Sequence, residues 1–212
     1  MFNIGTMYYN GDGLASDLRE AYAWFLLGSA AGDRLASEAV ARTESEVPLK
    51  KVDALTRAAE ILQKGDDVPK NLAKAAEFMK MAADTGDAPA ATRYALLLIQ
   101  GQGAPKDLAS AQRYCAQGAK KAYAPAMSCL GYLCEDPELG PPRYKEALKW
   151  YEAAESGADP IGAYGVGRIY ALGLGVKPDL LKAIQYPGLW PPAATAFLIS
   201  DFPLVRKLEA GK

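Results

Sequence analysis

The sequence predicts an all-α fold made of five consecutive helix–turn–helix repeats. Three features keep the same period along the chain: an Asp, Asn or Arg, an alanine four residues later, and an aromatic residue three residues beyond that alanine. The first interval is 54 residues and the next three are 36 residues each. Alanine accounts for 39 of the 212 residues and alternating runs of Val, Ile and Thr are absent, so closely packed helices are favoured over strands. The periodic positions are Asp17, Asn71, Asp107, Arg143 and Asp179, then Ala21, Ala75, Ala111, Ala147 and Ala183, then Trp24, Phe78, Tyr114, Trp150 and Tyr186.

Each repeat is expected to contain a first helix, A, and a second helix, B. In helix A a pair of apolar or small residues precedes a larger residue by three positions, which places both on one helix face. Gly11, Gly65, Gly101 and Gly173 are expected to end helix A, because glycine readily adopts a positive φ. The pairs are Ile4-Gly5, Ala58-Ala59, Tyr94-Ala95, Leu130-Gly131 and Val166-Gly167.

Helix B is expected to begin just after the periodic Asp or Asn. Side chains of this kind accept hydrogen bonds from the free N–H groups of a first helical turn, so Asp17, Asn71, Asp107 and Asp179 are predicted N-caps. Glu20 follows Asp17 at the spacing of a capping box, in which its carboxylate would bond back to the start of the helix.

The absence of histidine excludes several classes of catalytic and metal site. With 0 His the chain cannot form a Ser-His-Asp triad, a Cys-His dyad or a His-ligated zinc or iron centre. The net charge is −1 and the basic residues form no stripe, so nucleic acid is not an expected partner. Apolar stretches fall well short of the ~20 residues that span a bilayer, and the first residues lack a signal-peptide pattern. We therefore expect no enzyme activity, no metal, no cofactor and no membrane insertion, and the compartment stays undetermined.

The repeat resembles the Sel1-like repeat, a relative of the tetratricopeptide repeat. The motifs that carry the resemblance are Leu-Gly-x-x-Tyr, Gly-x-Gly-Val, Asp-x-x-Lys-Ala and Trp-Tyr within 36 residues, and they extend over about residues 1–186. The resemblance implies a right-handed α-solenoid, or superhelix, that binds another protein or peptide without catalysis. Members of the family are usually adaptors, bacterial virulence or envelope factors, or assembly scaffolds, and a few inhibit toxic partners.

We expect one repeat domain over residues 1–212. The long first interval predicts an additional helix, and the segment after Pro187-Gly188 is expected to be a C-terminal cap rather than a sixth repeat. Because the first helix A begins mid-motif, the chain is expected to be a fragment of a longer array. The predicted divisions are repeat 1 at about 1–33, the additional helix at about 34–47, repeats 2 to 5 at about 48–86, 87–122, 123–157 and 158–186, and the cap at 187–212.

The three cysteines are expected to be buried free thiols. Cys129 and Cys134 lie five residues apart on one helix, about 140° around its axis, and cannot bond to each other. A cysteine-rich branch of the Sel1-like family staples helix B to the next helix A, which makes a Cys115–Cys134 disulfide the alternative. The fixed short spacing of those family pairs is not reproduced here.

The partner-binding site is expected on the concave face that helices A line in this family. Side chains flanking the core-facing pair should point outward into the groove, and arginine with tyrosine is a composition favoured at binding hot spots. Two other functions remain open: a dedicated inhibitor of one toxic enzyme, and a hydrolase or acyl-binding activity as suggested for cysteine-rich relatives. The candidate binding residues are Tyr9, Arg57, Arg93, Leu96, Tyr132, Arg168 and Leu172.

Overall fold

A computed structural model describes residues 1–44, 51–65 and 67–186. Over these residues the chain forms eleven α-helices and one short 3-10 helix at Pro137–Leu139, without strands, so the predicted all-α class is confirmed. In chain order the helices are α1 (Phe2–Asn10), α2 (Leu18–Ala30), α3 (Arg34–Glu44), α4 (Lys51–Lys64), α5 (Leu72–Asp84), α6 (Ala88–Gln100), α7 (Leu108–Ala119), α8 (Ala124–Glu135), α9 (Tyr144–Ser156), α10 (Pro160–Leu172) and α11 (Leu180–Ala183).

The A helices of the five repeats are α1, α4, α6, α8 and α10, and the B helices are α2, α5, α7, α9 and α11. Helix α3 lies between the first two repeats, where the sequence predicts an additional helix. The chain divides into two compact units, Met1–Cys129 and the part from Leu130 onwards. The predicted cap at 187–212 lies outside the described residues. No helix in the described ranges combines the length and apolar character needed to cross a membrane.

A backbone hydrogen bond closes the turn between helix A and helix B in each of the five described repeats. The N–H of the periodic residue that begins helix B donates to a carbonyl in the last turn of helix A, over 2.8 to 3.1 Å. We call it the turn hydrogen bond. Its donors and acceptors are Asp17 and Tyr8, Asn71 and Leu62, Asp107 and Leu98, Arg143 and Cys134, and Asp179 and Tyr170.

The predicted side-chain caps of helix B are confirmed. Asp17, Asn71, Asp107 and Asp179 each accept a hydrogen bond from a backbone N–H in the first turn of their helix. Only half of the predicted capping box forms: the Glu20 N–H donates to Oδ1 of Asp17 over 3.2 Å, but the carboxylate of Glu20 does not bond back to Asp17. The Asp17 N–H is already used by the turn hydrogen bond, and the Glu20 carboxylate accepts from Arg57 instead.

Helix A packs onto helix B through a match of small and large residues. A Cβ on Gly5 would lie 2.6 Å from the ring of Phe25, and one on Gly131 would lie 2.6 Å from the ring of Tyr151. The corresponding pairs in the second and third repeats are Ala59 with Met79 and Ala95 with Cys115, whose helix-B residues are smaller. All eight residues are buried, as expected of a close-packed interior.

The step from helix B to the following helix uses small residues in the same way. A Cβ on Gly118 of α7 would lie 2.6 Å from Cβ of Ala126 in α8, and one on Gly28 of α2 would lie 2.7 Å from Cβ of Ala36 in α3. The two residues of each contact are eight positions apart in the sequence. Helix α3 therefore packs on α2 in the position that a helix A would occupy after a helix B. Helix α4 also packs against α2.

The expectation of three free thiols is wrong. Cys115 of α7 and Cys129 of α8 form a disulfide, with their Cα atoms 6.0 Å apart, and Cys134 is the free, buried cysteine. The alternative Cys115–Cys134 bond is wrong as well. Cys115 lies four residues before the end of α7 and Cys129 five residues after the start of α8, so the two lie level on the consecutive helices. Cys134 lies beyond that level and packs with Tyr151 and Val166 in the second unit.

We predict that thiol counting will reveal this pairing. In denaturant without reductant, Ellman's reagent should find one thiol, Cys134, and it should find three after reduction. In the folded protein even Cys134 should react slowly, because burial and then the nearby Glu146 carboxylate raise its pKa to about 11. Three thiols in denaturant without reductant would contradict the Cys115–Cys129 bond.

A second prediction uses two glycines with the same backbone conformation. Gly13 and Gly103 both have φ +77°, but a Cβ on Gly13 meets nothing within 4 Å, whereas a Cβ on Gly103 would lie 1.9 Å from the carbonyl oxygen of Leu72. Gly13→Ala should therefore cost only the left-handed backbone strain, about 1–2 kcal/mol. Gly103→Ala must also displace α5 and should cost about 3 kcal/mol or more. Urea unfolding of both variants measures the difference, and equal losses would contradict the predicted contact.

Candidate functional site

The first unit has a charged cleft between one B helix, α2, and two A helices, α4 and α6. It has a volume of about 470 Å³ and is bordered by residues of α2, α4 and α6, together with the cap residue of α6. Most of its side chains are charged or polar, so it suits a polar group rather than an apolar anchor. The residues of this charged cleft are Arg19, Glu20, Asp53, Thr56, Arg57, Glu60, Asp87, Pro89, Ala90 and Arg93.

Two of the predicted arginines line the charged cleft, and both are ion-paired. Nε of Arg57 lies 2.7 Å from Oε1 of Glu20, and a guanidinium nitrogen of Arg93 lies 2.7 Å from Oε1 of Glu60. The Arg57 pair is partly buried, whereas the side chains of Arg93 and Glu60 are 52% and 37% exposed. The guanidinium groups of both arginines reach across to acidic residues of neighbouring helices, so they are not free cations in the cleft.

The second unit has an aromatic cleft with a volume of about 410 Å³. Its border carries large exposed side chains: Tyr132 is 51% exposed, Ile161 59% and Tyr164 38%. Exposed aromatic and aliphatic residues gathered around one cavity are typical of a protein-binding surface. The residues of this aromatic cleft are Tyr132, Glu135, Asp136, Pro137, Tyr151, Ile161, Tyr164, Gly165 and Arg168.

A hydrogen-bonded ion pair lies within the aromatic cleft. A guanidinium nitrogen of Arg168 bonds both carboxylate oxygens of Glu135, and the Tyr151 hydroxyl donates to Oε1 of Glu135 over 2.8 Å. The side chains of Arg168 and Glu135 are only 27% and 13% exposed. Burial, and next the Glu135 carboxylate, raise the pKa of the Tyr151 hydroxyl, which therefore stays a neutral donor. Burial acts to lower the pKa of Arg168, but the hydrogen bond and charge of Glu135 raise it.

Four of the seven predicted binding residues border a cleft, and they are divided between the two clefts. Arg57 and Arg93 share the charged cleft, and Tyr132 and Arg168 share the aromatic cleft. The remaining three border neither cleft among the described residues: Tyr9 packs beneath the guanidinium of Arg42, 5.4 Å from the ring centre, while Leu96 and Leu172 are exposed on α6 and α10.

Two large exposed residues of the aromatic cleft, Ile161 and Tyr164, were not among the binding residues predicted from the sequence. A comparison of equivalent positions in the repeats could have identified both residues. At the position of Ile161 the third and fourth repeats have Pro89 and Pro125, and at the position of Tyr164 they have Thr92 and Ser128. Thr92 and Ser128 are buried, whereas Ile161 and Tyr164 are exposed, so the fifth repeat differs from the third and fourth in the size and the exposure of the side chains at these positions.

The match to a family model decides what this chain is. The model of the Sel1 repeat matches residues 1–33, 52–87, 88–123, 124–159 and 160–186. The chain belongs to the Sel1 repeat family. Sel1 repeat proteins generally act as protein–protein interaction modules and are typically non-catalytic.

Two solved Sel1-like structures resemble this Sel1 repeat chain. One is c5321, a protective antigen of uropathogenic Escherichia coli strains with an SLR fold, at 22% identity and a TM-score of 0.67. That match covers 94% of this chain but 48% of the Escherichia coli protein, so this chain spans about half its length. The other is a Sel1 repeat protein from Oxalobacter formigenes, at 27% identity and a TM-score of 0.59, with 88% and 84% of the two chains covered. No curated protein matches the sequence.

We predict that the ion pairs of the two clefts differ in their contribution to stability. Arg168→Ala leaves the nearly buried Glu135 carboxylate without its guanidinium and should lower the free energy of unfolding by about 2 kcal/mol or more. Arg93→Ala breaks a pair with both side chains more than one-third exposed and should cost less than about 1 kcal/mol. Urea unfolding at pH 7 measures both, and a loss for Arg93→Ala equal to that for Arg168→Ala would contradict this assignment.

Proposed function

We propose that this Sel1 repeat chain is a non-catalytic module that binds a segment of a partner protein on its helix-A face, with the aromatic cleft as the anchoring site. The observation that carries the proposal is the set of exposed side chains of Tyr132, Ile161 and Tyr164 around one cavity. Burial of such residues against a partner supplies most of the binding free energy in many interfaces.

The aromatic cleft is already organised for binding. The hydrogen bonds from Arg168 and Tyr151 hold Glu135 in place, so these polar groups need little reordering when a partner covers them. Gly165 supports the same arrangement, because a Cβ there would lie 2.5 Å from the Tyr151 ring. An apolar or aromatic partner side chain between Tyr132 and Tyr164 would bury apolar surface without breaking the ion pair.

The other sequence-predicted residues are proposed to contribute outside this anchor. Arg57 and Arg93 lie in the charged cleft, where polar partner groups would meet them, and Leu96 is an exposed apolar residue on α6. Tyr9 and Leu172 are proposed as further contacts on α1 and α10. The concave position of this face is part of the proposal and follows from the family resemblance.

Cysteine chemistry gives the hydrolase alternative no support. Cys115 is bonded to Cys129, and burial raises the pKa of the Cys134 thiol to about 11, so neither provides a thiolate near neutral pH. Non-catalytic binding is therefore the function that the described side chains support best.

The test is the double substitution Tyr132→Ala with Tyr164→Ala. A partner is first identified by affinity capture with the parent chain, and its affinity for the parent, the double variant and a control is then measured by calorimetry. The control is Met81→Ala, which removes a comparably exposed apolar side chain from helix B. We expect the double variant to lose about thirtyfold in affinity or more and the control to lose none. A folded double variant that binds as tightly as the parent would contradict the aromatic cleft as the anchor.

A further inference from the structure

The charged cleft contains a buried carboxylate oxygen that is not hydrogen-bonded. Glu20 is 9% exposed, and its Oε2 is a buried side-chain oxygen without a hydrogen-bond partner among the residues that the structure describes. Leaving a buried charged acceptor unsatisfied is costly, so such an atom calls for a donor. The other oxygen, Oε1, accepts from Nε of Arg57, which holds the carboxylate at the edge of the cleft.

The charges that border the charged cleft indicate whether the group that bonds Glu20 is a cation or an anion. Among the described residues that border it, four carboxylates and three guanidinium groups are present. Each of the guanidinium groups already faces an acidic residue: Arg57 pairs with Glu20, Arg93 with Glu60, and Arg19 with Asp17 at 3.4 Å. An anionic partner would have to compete with these carboxylates, whereas a cation would complete the bonding of Glu20.

A metal ion fits this cleft less well than an organic cation. In the described part of the chain, no three Asp, Glu, Cys or His side chains come together closely enough to coordinate a metal. The atom that needs a partner is one oxygen, and the group that would satisfy it is a single N–H donor with a positive charge. The cleft, at about 470 Å³, has room for the long side chain that carries such a donor.

We infer that the charged cleft receives a cationic group of the bound partner, an ammonium or guanidinium whose N–H donates to Oε2 of Glu20. The inference rests on the proposed function and adds the chemistry of the partner: a segment with a lysine or arginine for this cleft. The side chain of Glu20 borders the cleft and keeps 11% of its surface exposed, with Oε1 bonded to Arg57. Because Oε2 itself is covered, the incoming donor must displace the side chains that cover it.

The test uses three small probes with the whole chain, followed by NMR. Nα-acetyl-lysine amide carries a side-chain ammonium, Nα-acetyl-norleucine amide has the same aliphatic stem without the charge, and Nα-acetyl-glutamate amide carries the opposite charge. We expect shifts in the backbone signals of residues bordering the charged cleft with the lysine probe, at an affinity about tenfold or more above that of the norleucine probe.

Two variants with the same change of charge locate the cation. Glu20→Gln keeps the size of the side chain and should lower the affinity for the lysine probe about tenfold. Glu77→Gln removes one carboxylate and one surface ion pair from α5, away from the cleft, and should leave the affinity unchanged. Circular dichroism verifies that both variants are folded, and the comparison of probes on the parent chain holds even if Glu20→Gln does not fold.

The inference is overturned if the parent chain binds the lysine and norleucine probes equally, if it prefers the glutamate probe, or if folded Glu20→Gln binds the lysine probe like the parent. These outcomes leave the proposed function standing when the substitutions at Tyr132 and Tyr164 still weaken the partner. If those substitutions have no effect while the lysine probe binds, the aromatic anchor is wrong and the charged cleft remains a cation site.

Discussion

The turn hydrogen bond is the interaction on which the other features of each repeat depend. It joins the N-cap residue just before helix B to the last turn of helix A, so it sets where helix B starts relative to helix A. The donor is a backbone N–H, which explains why Arg143 can occupy a position otherwise held by Asp or Asn. Arg143 provides no side-chain cap to α9, but the turn keeps the same backbone bond as the other four described repeats.

Once that bond sets the register, the packing of small residues against large ones follows. Glycine stands in helix A wherever the facing residue in helix B is an aromatic, as with Gly5 and Phe25 or Gly131 and Tyr151. Since each Cβ position is a close contact, the size of one residue limits the size of its partner. The repeats therefore share one geometry while their cores contain different residues, among them the disulfide-bonded Cys115 at the position of an aromatic.

The exposed faces of the A helices are free of this constraint, and there the two clefts differ. In the first unit the side chains are charged and reach across to one another, leaving Oε2 of Glu20 as the unsatisfied atom of the charged cleft. In the second unit Ile161 and Tyr164 replace smaller or turn-forming residues and give an apolar border. A partner that uses both would combine a cationic group with an apolar or aromatic anchor, the two kinds of contact that supply specificity and binding energy.

The sequence by itself determined the repeat. Period, caps and helix-ending glycines are local features, and each depends on residues within a few positions of one another, so Asp17 or Asp107 could be recognised as a cap without knowledge of the fold. Tertiary structure decided what depends on distance in space. The carboxylate of Glu20 bonds Arg57, 37 residues away, rather than the start of its own helix, and Cys115 bonds Cys129 because the two helices place them level. A linear sequence shows which side chains share a helix face, but the packing of neighbouring helices determines which side chain on the next helix each one contacts. That packing made Arg168 part of a partly buried ion pair and gathered Tyr132, Ile161 and Tyr164 around one cavity.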